Sequence, residues 1–168
     1  MAETRIPPIF DGDERAILYS WLDWHRETLA AKCAGLSEDQ LRRRAVPPSG
    51  MSLLGLVRHM AHVERAWFRR MIDDEDVPLL YGKAERQDAD FEDVDGASAE
   101  EAFATWRAEI ELARKVSAGL PLDAIAKRRR DGNEVSHRRI LIHLIQEYAR
   151  HNGHADLLRE RIDGVTGE

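Results

Sequence analysis

Apolar residues recur every three or four positions along four long stretches of the chain, the spacing that puts them on one face of a helix. The pattern predicts a first helix from about Asp13 to Ala34, with Gly35 placed to stop it. A short piece follows in which Ser37 and Gln40 stand at capping-box spacing, and Pro47 and Pro48 then break the chain. A second long helix is expected from near Ser52 to about Ile72. A third begins at Ser98, with Glu101 three residues on, and runs to about Ala118. A fourth runs from near Ser136 to about Arg161, ahead of Gly164. Few segments alternate apolar and polar residues as a half-buried strand would. The expected fold is all-α, four helices with apolar faces packed as a four-helix bundle. One domain over residues 1–168, with a single substantial core, suits a chain of this length.

The link between the second and third helices, 73–97, is long for a helix–helix connection. It is rich in acid, with Asp73, Asp74, Glu75, Asp76, Asp88, Asp90, Glu92, Asp93 and Asp95. It also holds Pro78, Leu79, Leu80, Tyr81 and Phe91, so it can pack on something. A crossover between two parallel helices is the favoured reading; a lid over a site is the sharper alternative.

Composition narrows the class. With 43% hydrophobic and 33% charged residues, the chain reads as soluble and globular. No apolar run approaches the roughly 20 residues that span a bilayer, and Met1 to Phe10 lacks the apolar segment of a signal peptide. A cytoplasmic location without a membrane partner is therefore expected. The formal net charge of −6 argues against nucleic acid, whose general binders need a basic footprint. The single cysteine, Cys33, excludes an internal disulfide framework.

The candidate chemistry lies in HLIQEYARHNGH, residues 143–154. With Glu147 at zero on a helical wheel, His151 and His143 lie about 40° to either side and His154 about 20° off. Ile140 and Leu158 also fall about 20° from Glu147, so the acid and the imidazoles share an apolar stripe. The second helix repeats the anomaly. His59 is central among Leu56, Val63, Ala66 and Trp67, whereas Arg58, Arg65 and Arg69 cluster elsewhere and His62 lies nearer that edge. Titratable groups seldom face a core without a partner.

One cation would resolve both anomalies. Glu147 and His151, four residues apart, can bind the same ion, and His59 can add a third ligand from a facing helix. Two imidazoles and one carboxylate leave open coordination positions, as in catalytic zinc sites and in non-haem iron. The ligand types alone do not choose among zinc, nickel, iron and manganese. The bland alternative is a hydrogen-bonded core histidine and a Glu147 paired with an arginine. His143, one turn above Glu147, remains open as an alternative ligand.

SLLGLVRHMAHVERAWF at 52–68 and ILIHLIQEYARHNGHADLLRERIDG at 140–164 carry a resemblance. The chain resembles the DinB-like superfamily, in an actinobacterial branch near mycothiol-dependent maleylpyruvate isomerases and mycothiol S-transferases. The resemblance implies a bundle in down-up-up-down order, consistent with the long second connection, and a three-residue metal site. It maps a metal-binding histidine onto His59. Many members carry H-x-x-x-H on the last helix, where this chain reads Glu147-x-x-x-His151; similar isomerases use glutamate there. The implied chemistry is S-transfer, or thiol-assisted isomerisation, with a low-molecular-weight thiol such as mycothiol and an electrophilic substrate. Zinc ranks first among the metals.

The remaining candidate residues each have a plainer role beside the functional one. His154 is the candidate acid/base or supporting group near the metal, and His62 a weaker one. Trp67 reads as core that could also wall a cavity. Cys33 reads as a packed small residue without a catalytic partner. The basic run KRRR at 127–130, with Arg138 and Arg139, reads as a solvated connection or as an anchor for an anionic substrate. Arg150, Arg159 and Arg161 read as surface or ion-pair residues. Leu141 and Ile145, away from the metal stripe, could pack inside or against a second chain, so a homodimer is compatible. The leading expectation is a divalent-metal enzyme that activates a small thiol. A metal-containing binding protein without turnover and a metal-dependent hydrolase are the alternatives.

Overall fold

Side chains that cap helix ends set the boundaries. In the computed structural model, which describes residues 5–82 and 88–167, Asp13 accepts from the Ala16 N–H at the start of α1, Glu14–Cys33. Ser37 and Gln40 form the reciprocal capping box of the short α2, Glu38–Arg42. Ser52 caps α3, Leu53–Glu64. A four-residue α4, Ala89–Glu92, lies within the long connection. Ser98 caps α5, Ala99–Ser117, and Ser136 caps α6, His137–Asp163. Gly164 ends α6 in the left-handed region at φ +80°, where a side chain would be strained.

The chain is all-α: among the described residues no strand forms, and only two isolated bridges occur, Ile125 with Ser136 and Arg130 with Asn133. The four long helices share one core. α1 packs on α6, α3 on α5, and α3 also on α6. Nine of the twelve residues of α3 are buried, which makes it the most enclosed element. Leu22, Leu54, Leu56, Leu141 and Leu144 are fully buried, each worth about 1.5–3 kcal/mol relative to exposure. Leu141 thus lies inside the chain, and Ile145, half-buried, packs against the same core.

The second helix differs from expectation over its last two turns. Arg65–Ile72 continues α3 as a π-helix, whose wider turn buries Trp67, Phe68 and Ile72. Backbone N–H groups of Lys127 and Arg128 bond the Ile72 and Met71 carbonyls, so the strand-like segment after α5 satisfies acceptors that the helix end leaves over.

A buried polar chain ties all four long helices together. Arg26 of α1 grips both carboxylate oxygens of Glu64, at the end of α3, at 2.8 Å each. The Tyr148 hydroxyl of α6 donates to Glu64 Oε1 at 2.8 Å, and the Trp106 indole of α5 donates to Tyr148 at 2.8 Å. Burial works against the Arg26 charge, but Glu64 more than offsets it and raises the guanidinium pKa. Burial, with Glu64 beside it, pushes the Tyr148 hydroxyl well up, so it stays a donor.

The acidic connection lies against basic side chains near both of its ends. Lys127 pairs with Asp73 and Arg128 with Asp74. Arg69 binds Glu75, Arg65 donates to the Pro78 carbonyl, and Arg44 pairs with Asp95. The KRRR run is therefore largely occupied, since Arg129 also pairs with Glu134 and Arg130 lies over the Trp67 ring. Residues 83–87 of the connection lie outside the described residues.

Candidate metal centre

His59 sits at the middle of α3, with Met60 and Val63 of the same helix buried around it. Glu147 and His151 stand one turn apart on α6, which packs against α3. One donor atom from each of the three lies within 4.8 Å of the others. His59 Nε2 is 4.0 Å from Glu147 Oε2, and His151 Nε2 is 3.5 Å from that same oxygen. The side chains are 21%, 17% and 11% exposed, so the cluster is enclosed on most sides yet reachable from solvent. Among the described residues, the basic groups within ion-pair reach of Glu147 are histidines, and no arginine neutralises it.

His143 takes a different place. Its Nε2 lies 3.9 Å from Glu147 Oε1, whereas His59 and His151 approach Oε2, and its ring packs on Trp67 at 4.4 Å between centroids. His154 does not enter the three-donor cluster. It backs His151 instead, with the two Nδ1 atoms 3.3 Å apart. His62 stays outside as well, with its Nδ1 buried and unpartnered among the described residues.

Electrostatics keep several imidazoles neutral. Burial first, then His59, His154 and Arg150, push His151 down to about 3. Burial likewise lowers His143 and His62. A neutral imidazole presents a lone pair, the form that ligates metal. Two imidazoles and a carboxylate converging on one small volume match the donor chemistry of zinc and related divalent ions. His59, Glu147 and His151 could thus hold such a cation.

One close neighbour of the cluster carries no mark in the sequence. Asp90, on α4, is only 4% exposed and places Oδ2 2.7 Å from His59 Nδ1. Phe91 stacks on the His59 ring at 5.0 Å. Phe91 also lines a surface cleft of about 410 Å³ with Arg44, Gly50, Met51, Asp88 and Glu92. Nothing in the spacing singled Asp90 out from the other acids of the connection. Cys33 lies apart on α1, buried, and burial pushes its thiol up to about 12. It is held as an inert thiol.

No curated protein matches the chain. A family model described as mycothiol S-transferase matches residues 17–164, which takes in the four long helices save the first residues of α1, and all the residues of the cluster. By that match the chain belongs to the mycothiol S-transferase family.

Proposed function

We propose that this protein joins a low-molecular-weight thiol, mycothiol, through its sulfur to a small electrophile, whose leaving group departs as the S–C bond forms, with a divalent cation held by His59, Glu147 and His151. The observation that carries the reading is the convergence of three donor atoms, from two separate helices, within 4.8 Å. Family membership supports the thiol and the transfer. A bound divalent cation, zinc first among the candidates, supplies positive charge that favours the thiolate form of a thiol at neutral pH.

The chain's own residues do the rest. Glu147 brings one carboxylate to the imidazole donors, so a divalent cation held there would keep net positive charge. His151 offers Nε2 because burial keeps the ring unprotonated. His154 supports that ring: for His151 to present its Nε2 lone pair, its proton must sit on Nδ1, and His154 Nδ1 is the acceptor within reach. His154 Nδ1 is thereby committed, so positioning suits it better than free acid/base work. His143, neutral and beside the other carboxylate oxygen, is placed to hold the proton that the thiol gives up at its Nε2. Phe91 and Trp67 exclude water from two sides of the imidazoles.

The test is turnover. Purified protein, mycothiol and a chlorinated bimane are mixed, and the fluorescent thioether is followed with and without a chelator. Thioether formation that stops on chelation and returns with zinc is the expected result. Tight thiol binding with no product would replace the transferase with a binding protein. Consumption of an ester or amide without thiol would replace it with a hydrolase.

A further inference from the structure

The long connection between α3 and α5 does more than cross from one helix to the next. It is fastened to α3 at α4 by three separate contacts. Arg58 donates from Nε to the Asp90 carbonyl at 3.0 Å and from a terminal nitrogen to the Ala89 carbonyl at 3.1 Å, while its guanidinium lies 4.0 Å from the Tyr81 ring centre. Phe91 lies so close that a Cβ at Gly55 would meet its Cδ1 at 3.0 Å and its Cα at 3.4 Å. The third contact is Asp90 Oδ2 against His59 Nδ1 at 2.7 Å. Asp90 is buried, and its other oxygen, Oδ1, accepts from the Phe91 N–H at 3.1 Å.

These contacts decide where the His59 proton sits. A carboxylate only accepts, so the imidazole must donate from Nδ1. The Nε2 lone pair is then left facing Glu147 and His151. We infer that Asp90 is the positioning residue of His59: held by the Arg58–Gly55–Phe91 contacts, it fixes the Nδ1–H tautomer and turns the Nε2 lone pair into the cluster. The acidic connection thereby supplies one buried carboxylate to the site from outside the four long helices. The inference rests on the cation reading above for the use made of that lone pair, and on the hydrogen bond alone for the tautomer.

Asp90→Asn separates this role from simple packing. The amide keeps the shape of the carboxylate, and its oxygen can keep the Phe91 N–H. Its NH2 group then faces His59 Nδ1 and donates, which forces the imidazole proton onto Nε2. The measurement uses full-length protein with 15N-labelled histidine, metal-free and mildly alkaline, with His59 assigned by its loss in His59→Ala. Long-range proton–nitrogen spectra read which ring nitrogen carries the proton. The parent is expected to show Nδ1–H and Asp90→Asn to show Nε2–H. In zinc competition against a chromophoric chelator, Asp90→Asn is expected to bind about 10–100-fold more weakly. Asp90→Ala, which removes the acceptor without adding a donor, should weaken zinc as well and leave the tautomer unbiased.

A parent with its His59 proton on Nε2, or an Asp90→Asn protein with unchanged tautomer, would overturn the inference. So would zinc affinity equal in parent and both variants. The expected tautomer difference between parent and Asp90→Asn, in a parent that takes up no zinc, would sink the cation reading and leave the assignment of Asp90 standing.

Discussion

Each imidazole that faces Glu147 from a facing or neighbouring turn has a second polar group or an aromatic ring behind it. Asp90 stands behind His59, His154 behind His151, and Trp67 against His143. Support of this kind fixes ring orientation, so loss of the acid at the centre should be felt sharply. Glu147→Gln keeps the side-chain volume and removes the charge; zinc affinity is expected to fall at least about tenfold, read by chelator competition. Retained affinity would mean that the carboxylate is a bystander. Cys33 gives an independent residue-scale check. A buried thiol raised to about 12 should resist alkylation in the native protein and react fully once unfolded, as mass spectrometry would show. Glu147, His151 and His59 were legible in the sequence because helical spacing set them inside apolar stripes. Asp90 was not, because an irregular acidic segment has no face from which one acid can be told apart.

Among the elements, the helix starts were readable from Ser37, Ser52, Ser98 and Ser136, whose oxygens take up N–H groups that the first turn leaves free. The π-helix was not, because Trp67, Phe68 and Ile72 suit an inward face with either turn width. Nor was the contact of Arg26 with Glu64, since a charge at 38 residues' separation leaves no local trace. That pair makes a strong prediction. Arg26→Met leaves Glu64 buried without its counter-charge and should cost about 3–5 kcal/mol in denaturant unfolding. A loss below about 1 kcal/mol would show that water or Tyr148 alone satisfies Glu64. Gly55→Ala should push α4 off α3, costing about 1–3 kcal/mol as an overpacked contact. Because Asp90 rides on α4, zinc affinity should fall in the same variant; unchanged affinity would uncouple the two.

For the whole molecule, protons and cations should both act on stability. Burial lowers His25 and His137 below the ordinary 6.5, and His137 also lies against the Tyr19 hydroxyl and two backbone carbonyls. The folded chain binds fewer protons at these rings than the unfolded chain does. Their contribution is therefore fully present above about pH 6.5 and lost as the pH falls toward the lower folded values. Thermal unfolding of metal-free protein should show Tm dropping already in that window, above the carboxylate range near 4, with a shallower slope in His137→Gln. A flat profile there would contradict the buried, neutral state. Zinc should act in the opposite sense, adding about 2.7 kcal/mol when free ion stands at a hundred times its Kd. The central claim, that side chains from α3 and α6 meet to grip one cation, is tested most directly by the metal content of gel-filtered protein after zinc loading. Near-stoichiometric zinc in the parent, and loss of it in both His59→Ala and His151→Ala with folding retained, is the predicted result. Variants as zinc-rich as the parent would contradict it.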